Sequence, residues 1–131
     1  MKVINDVGKK TILLVDDEDY LVDILKKLLV WQGYYVLTVK NGLEAVEAYK
    51  AKTEKIDIIL MDIIMPKMSG VEALVKIKDY DPYVPIILMS GFAEESVEGL
   101  PHTHFIRKPM QPQDLFKSIE EVLEESDSCY C

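Results

Sequence analysis

Apolar positions along the chain gather into short continuous runs, and between them they recur at helical spacing. The runs are Thr11-Ile12-Leu13-Leu14-Val15, Tyr34-Tyr35-Val36-Leu37-Thr38, the stretch entering Asp62, Pro85-Ile86-Ile87-Leu88-Met89, and His104-Phe105-Ile106-Arg107. The most continuous is Ile58-Ile59-Leu60-Met61, which meets a single carboxylate at Asp62 and passes Pro66 and Gly70 before polar sequence resumes. A half-wet antiparallel strand would alternate, so such runs predict central parallel strands covered on both faces. Tyr20, Leu21, Ile24, Leu25 and Leu28 predict a first helix closed by Gly33. Asn41-Gly42 reads as a turn, and Ala45, Val46 and Tyr49 mark a second helix. Val71, Leu74, Val75 and either Lys78 (by its stem) or Ile77 mark a third, ended before Asp81-Pro82. Ala93 to Leu100 has room for about two helical turns before Pro101. A last helix opens near Pro112 and carries Leu115, Phe116, Ile119, Val122 and Leu123 on one face.

Strands alternating with helical segments predict an α/β fold: a doubly wound, five-stranded parallel sheet between two helical layers. Right-handed crossovers leave few topologies, and 2-1-3-4-5 is the strand order expected. The reading divides the chain into a lead-in over 1–10, one domain over 11–125, and a tail or cut linker over 126–131.

At 131 residues the chain is long enough for one domain with its own core. Fifteen Lys+Arg against 23 Asp+Glu give a net charge of -8. That balance argues against direct contact with nucleic acid or an anionic membrane, both of which favour basic surfaces. Cys129 and Cys131 are the only cysteines, so there is no disulfide framework, and no secretory apolar segment is present. These features lead to the expectation of a cytoplasmic protein. Cys-Tyr-Cys also lacks the further ligands of a structural zinc site.

Alone, Asp62 is a polar stop beside a turn. Its meaning changes when the ends of the strands are taken together. The first strand ends in Asp16-Asp17-Glu18, the third in Asp62, the fourth in Ser90-Gly91 and the fifth in Lys108-Pro109. In a parallel sheet these ends share one edge, where open α/β sheets place ligands. Crowded carboxylates resist ionising together unless a cation offsets them. Oxygen ligands without His or Cys favour a hard ion, and Mg2+ is the natural choice. Lys108 adds a point charge, Ser90 a hydroxyl, and Gly91 leaves room for a phosphoryl-sized group. That set suits phosphoryl transfer onto an aspartate.

At these motifs the chain resembles the receiver domains of two-component response regulators, which have a flavodoxin-like fold. The resemblance runs from Thr11 to about Glu125 and rests on Asp16-Asp17-Glu18, Asp62-Ile-Ile-Met-Pro-Lys-Met-Ser-Gly70, Ser90-Gly91 and Lys108-Pro109, in the family's order. It implies that Asp62 is the phospho-acceptor, phosphorylated by a sensor histidine kinase or a histidine phosphotransfer protein. Asp16, Asp17, Asp62 and the Ile64 carbonyl would hold Mg2+, and Lys108 would contact the phosphoryl group ahead of a cis peptide at Pro109. Ser90 and Phe105 would be the switch pair. The segment over 93–100, the fifth strand and the last helix would form the face for an output domain or a homodimer. The domain would be a signalling module, catalysing only its own phosphorylation and dephosphorylation.

Two features stand apart from the family pattern. Ser90 and Lys108 are 18 positions apart, a short spacing that predicts an abbreviated helix between them. Ile64 and Phe92, each two residues past a site position, are apolar, and the expectation is that they keep water off the acyl phosphate. Two other readings compete. A receiver-like interaction module with an idle site is disfavoured by the complete acid, hydroxyl and lysine set. A free-standing Mg2+-dependent phosphohydrolase would need a cap domain or second general acid, which the sequence does not supply.

Overall fold

A computed structural model describes residues 9–51, 53, 55–91 and 103–128. The five apolar runs are five strands: β1 (Thr11–Val15), β2 (Tyr35–Val39), β3 (Ile58–Asp62), β4 (Ile86–Ser90) and β5 (Thr103–Arg107). All neighbours pair in parallel, in the order β2-β1-β3-β4-β5. This is the doubly wound, flavodoxin-like sheet that the alternation predicts. β1, β3 and β4 are buried along their whole length, as expected of central strands covered on both faces.

Alternation along these strands divides the core into two layers. Leu13, Val15, Ile59, Met61, Ile86 and Leu88 pack toward α2 (Gly42–Ala51) and α3 (Gly70–Tyr80). Ile12, Leu14, Ile58, Leu60, Ile87 and Met89 pack toward α1 (Asp19–Trp31) and α4 (Pro112–Ser128). The α4 face is as expected, with Leu115, Ile119, Val122 and Leu123 buried and Phe116 packed beside them. The expected helix over Ala93–Leu100, together with Phe92 and the two cysteines, lies outside the described residues.

Three expectations are corrected. Tyr20 and Ile24 do not face the core; α1 buries Leu25 and Leu29 instead. Nearly every position in 21–31 except Asp23 and the two lysines is apolar, so spacing alone leaves the buried stripe ambiguous, and packing selects it. Likewise Val75 is exposed, whereas α3 buries Ala73, Leu74 and Ile77. Asn41-Gly42 is a helix start rather than a free-standing turn. The Asn41 side chain accepts the Glu44 N–H at 2.9 Å, and Glu44 reaches back to the Lys40 N–H at 2.9 Å, a reciprocal cap on α2. Ser69 caps α3 the same way, accepting the Glu72 N–H at 3.2 Å. Gly33 closes α1 as predicted, with φ 103°, a conformation glycine adopts without steric cost.

Candidate functional site

The four strand ends meet at the C-terminal edge of the sheet. Asp16, just past β1, is 1% exposed, and its Oδ1 accepts the Glu18 N–H at 3.0 Å, which turns the chain toward α1. Asp17 points to solvent. Asp62 is the last residue of β3 and is buried. One oxygen from each of Asp16, Asp17 and Asp62 lies within 4.8 Å of the others. Lys108 reaches into this group from beyond β5, with Nζ 3.1 Å from Asp16 Oδ2 and 3.4 Å from Asp62 Oδ2. The Lys108 backbone N–H donates to Ser90 O at 2.8 Å, so β4 anchors the lysine's backbone beside the acids. The Lys108–Pro109 peptide is cis.

The electrostatics follow from two buried carboxylates, Asp16 and Asp62, sharing one ammonium, with Asp17 beside them at the mouth. Burial raises the Asp62 pKa above the ordinary carboxylate value. Lys108 opposes that rise, and the Asp16 charge adds to it. Burial alone would lower Lys108, but the Asp16 and Asp62 charges and their hydrogen bonds hold its ammonium above the usual lysine value. An all-oxygen donor set with surplus negative charge fits a hard divalent cation, and Lys108 is not enough to balance it.

The remaining predicted residues are placed as follows. Ser90 ends β4, buried, next to the end of β3. Ile64 is 61% exposed at the rim, and its N–H donates to Asp62 Oδ1 at 3.4 Å. Phe105 lies in β5 opposite Leu88 and packs on the α2–α3 side of the core. Phe92 lies outside the described residues.

One supporting contact is not apparent from sequence spacing. The Gly70 N–H donates to Ile63 O at 2.8 Å, and a methyl group at Gly70 would overlap the Asp62 carbonyl oxygen. Gly70 therefore seats the N-terminus of α3 directly against the Asp62 backbone. The Gly42 N–H donates to Met68 O at 3.1 Å, fastening the same loop to α2. Lys67 in that loop has φ 67°, a left-handed conformation that a non-glycine residue holds at some cost.

A statistical model of the response regulator receiver domain matches residues 12–120. The chain belongs to the response regulator receiver family. This receiver is 36% identical over 118 residues to the chemotaxis protein CheY of Thermotoga maritima, covering 86% of this chain and 97% of that protein. It is 34% identical over 122 residues to the alkaline phosphatase synthesis transcriptional regulatory protein PhoP of Bacillus subtilis, covering 90% of this chain and 50% of that one. It thus spans nearly all of the chemotaxis relative but only half of the transcriptional regulator. Among solved structures, a CheY-like receiver domain protein from Methanospirillum hungatei superposes with a TM-score of 0.82 at 31% identity, covering 92% and 98% of the two chains. The CheX-CheY-BeF3-Mg2+ complex from Borrelia burgdorferi contains a chain that matches at a TM-score of 0.79 and 30% identity, covering 91% and 94%. Receiver domains are signalling modules of two-component systems. Among the described residues, no helix is long and apolar enough to cross a membrane.

Proposed function

We propose that this receiver is a cytoplasmic phospho-acceptor switch in which Asp62 takes a phosphoryl group from a sensor histidine kinase or a histidine phosphotransfer protein. The observation carrying this reading is the convergence of Asp62, Asp16 and Lys108 on one buried point, with Asp17 at its mouth. An Asp62 carboxylate oxygen attacks phosphorus in line, the P–N bond to the donor imidazole breaks, and its electron pair returns to the ring nitrogen. The product is an acyl phosphate on Asp62.

Asp16, Asp17, Asp62 and the Ile64 carbonyl would hold Mg2+, which when bound supplies positive charge to the transferring phosphoryl oxygens. That the matched Borrelia complex contains Mg2+ supports this assignment. Lys108 exchanges one carboxylate partner for a phosphoryl oxygen, and the Ser90 hydroxyl donates to another. Phe105 shifts inward with Ser90 and changes the surface around β5 and α4, which an output partner reads. On the donor side, Tyr20 at 81% and Ile24 at 40% exposure offer an apolar contact on α1 near the site mouth.

The test is incubation with a small acyl-phosphate donor and Mg2+, followed by intact mass measurement. The parent gains one phosphoryl group, and Asp62→Ala does not. A gain that survives Asp62→Ala, or no gain in the parent, defeats the proposal.

A further inference from the structure

β2 is one of the two edges of the sheet, and among the described residues it carries no charge, proline or bulge of the kind that usually stops an edge from pairing. Residues Tyr35–Val39 are uncharged, contain neither proline nor glycine, and keep unbroken register with β1 from Thr11↔Tyr35 to Val15↔Val39. Edges are ordinarily blunted by charges, prolines or bulges, and the opposite edge, β5, carries His104 and Arg107. On β2 the Tyr35 N–H goes to Lys10 O, and Val39 O receives the Asp16 N–H, so odd-numbered positions face β1. The backbone groups of Val36 and Thr38 therefore point out of the sheet.

Side chains along that edge are sorted by charge. A cleft at the C-terminal end of β2 brings Asp19 and Asp23 of α1 beside Thr38 and Lys40, and Lys40 is tied to Asp19 at 3.2 Å. One turn on, Lys26 shares the flank of Val22 and Asp23, followed by Val30, which is 51% exposed. Because α1 runs against β2, Lys26 and Val30 lie toward the start of the strand. There Lys9 sits 4.6 Å from the centre of the Tyr35 ring. With Lys40 tied to Asp19, Asp23 leaves that end of the edge net acidic, and Lys26 and Lys9 leave the other end basic.

We propose that this edge is the seam of a homodimer in which β2 pairs antiparallel with β2 of a second copy about a two-fold axis near Leu37. Val36 of each copy then faces Thr38 of the other, and each such pair exchanges two N–H···O bonds. The same two-fold sets the Asp19–Asp23 end of one copy against the Lys26–Lys9 end of the other, so the charge pattern complements itself. A membrane or a nucleic acid would leave the outward backbone groups unmatched.

Sedimentation equilibrium of the full chain from micromolar to millimolar concentration tests this. The parent shows a reversible dimer. Thr38→Pro removes an outward donor that β1 does not use, and it weakens dimerisation by about tenfold or more through the loss of a symmetric pair of hydrogen bonds. Lys26→Glu and Asp23→Lys each weaken self-association, and an equal mixture of the two variants recovers it, because the reversed charges then face each other. Circular dichroism melts confirm that each variant is folded. A chain that stays monomeric at every concentration overturns the proposal. So does a dimer indifferent to both kinds of substitution, as one built on β5 and α4 would be.

Discussion

Lys108 and Lys78 are both partly buried, and they lie at opposite ends of the same sheet. Lys108 sits among the carboxylates past β1 and β3, which hold its pKa above the usual lysine value against the pull of burial. Lys78, near the end of α3, donates to Val84 O at 2.5 Å, just before β4. Burial pulls Lys78 down to about 8, and the nearby Asp81 charge does not offset it. Asp81 is already engaged, accepting from Tyr49 OH at 2.5 Å and from the Tyr83 N–H at 3.1 Å. Asp57, at the same end, accepts the Thr11 N–H at 2.8 Å. Carboxylates at this end are matched by donors that the fold itself provides. At the other end Asp16 and Asp62 share one ammonium with Asp17 close by, and the imbalance is what a cation and a phosphoryl group would complete.

The largest disturbance of the site end short of removing its carboxylates comes from Gly70→Ala. The added methyl group meets the Asp62 carbonyl, which belongs to a buried strand and cannot move away cheaply. A loss of about 2–3 kcal/mol is expected in urea melts, the range for overpacking. Phosphorylation should slow as well, because the acceptor backbone shifts.

Ile64→Asn comes next. Ile64 stands exposed at the rim; under the proposed function its apolar side chain would keep water from the acyl phosphate, and an amide would help position that water. Dephosphorylation should accelerate by about tenfold, less than the roughly hundredfold or more of a group that itself transfers the proton. An unchanged decay rate would remove Ile64 from the account.

Asp62→Asn tests the charge surplus itself. Since burial raises the Asp62 pKa, the folded state holds this proton to higher pH than the unfolded chain does. Ionising Asp62 therefore costs stability as pH rises past its unfolded value. The neutral amide should leave the metal-free protein more stable at neutral pH, offset in part by the weaker pairing with Lys108. It should also shrink the rise in Tm on adding Mg2+ that ligand linkage predicts for the parent. Equal Mg2+ responses in the two proteins would contradict a shared carboxylate site.

The smallest effect lies at the far end. Between about pH 8 and the ordinary lysine value of 10.5, the unfolded chain binds a proton that folded Lys78 does not. Its contribution to stability therefore rises with pH across that window. The Tyr49 pKa is raised by burial and by the Asp81 hydrogen bond, which reverses the trend above pH 10. Lys78→Met should flatten the slope of urea midpoints between pH 8 and 10 without changing phosphorylation.

Much of this contrast was legible in the sequence, for a physical reason. Central parallel strands must be apolar on both faces, so Ile58–Met61 and Ile86–Met89 announce themselves, and the polar residues that end them must sit at one edge. Asp16, Asp17, Asp62, Ser90 and Lys108 were all found that way. Helix phase was harder to read, because α1 is apolar almost all round and only packing distinguishes Leu29 from Ile24. Asn41-Gly42 has the composition of a turn, and its role as a cap depends on where Glu44 reaches. Gly70 carries no side chain to signal its contact, and the neighbour that requires it, the Asp62 carbonyl, is fixed only by the tertiary fold.

The most direct measurement of the central claim locates the modified atom. Protein treated with an acyl-phosphate donor and Mg2+ is reduced with borohydride, which converts an aspartyl phosphate to homoserine, and is then digested and sequenced by mass spectrometry. The account predicts homoserine at position 62 alone, and none when Mg2+ is chelated beforehand. Homoserine at position 16 or 17, or an unaltered Asp62 in protein that has gained a phosphoryl group, would contradict it.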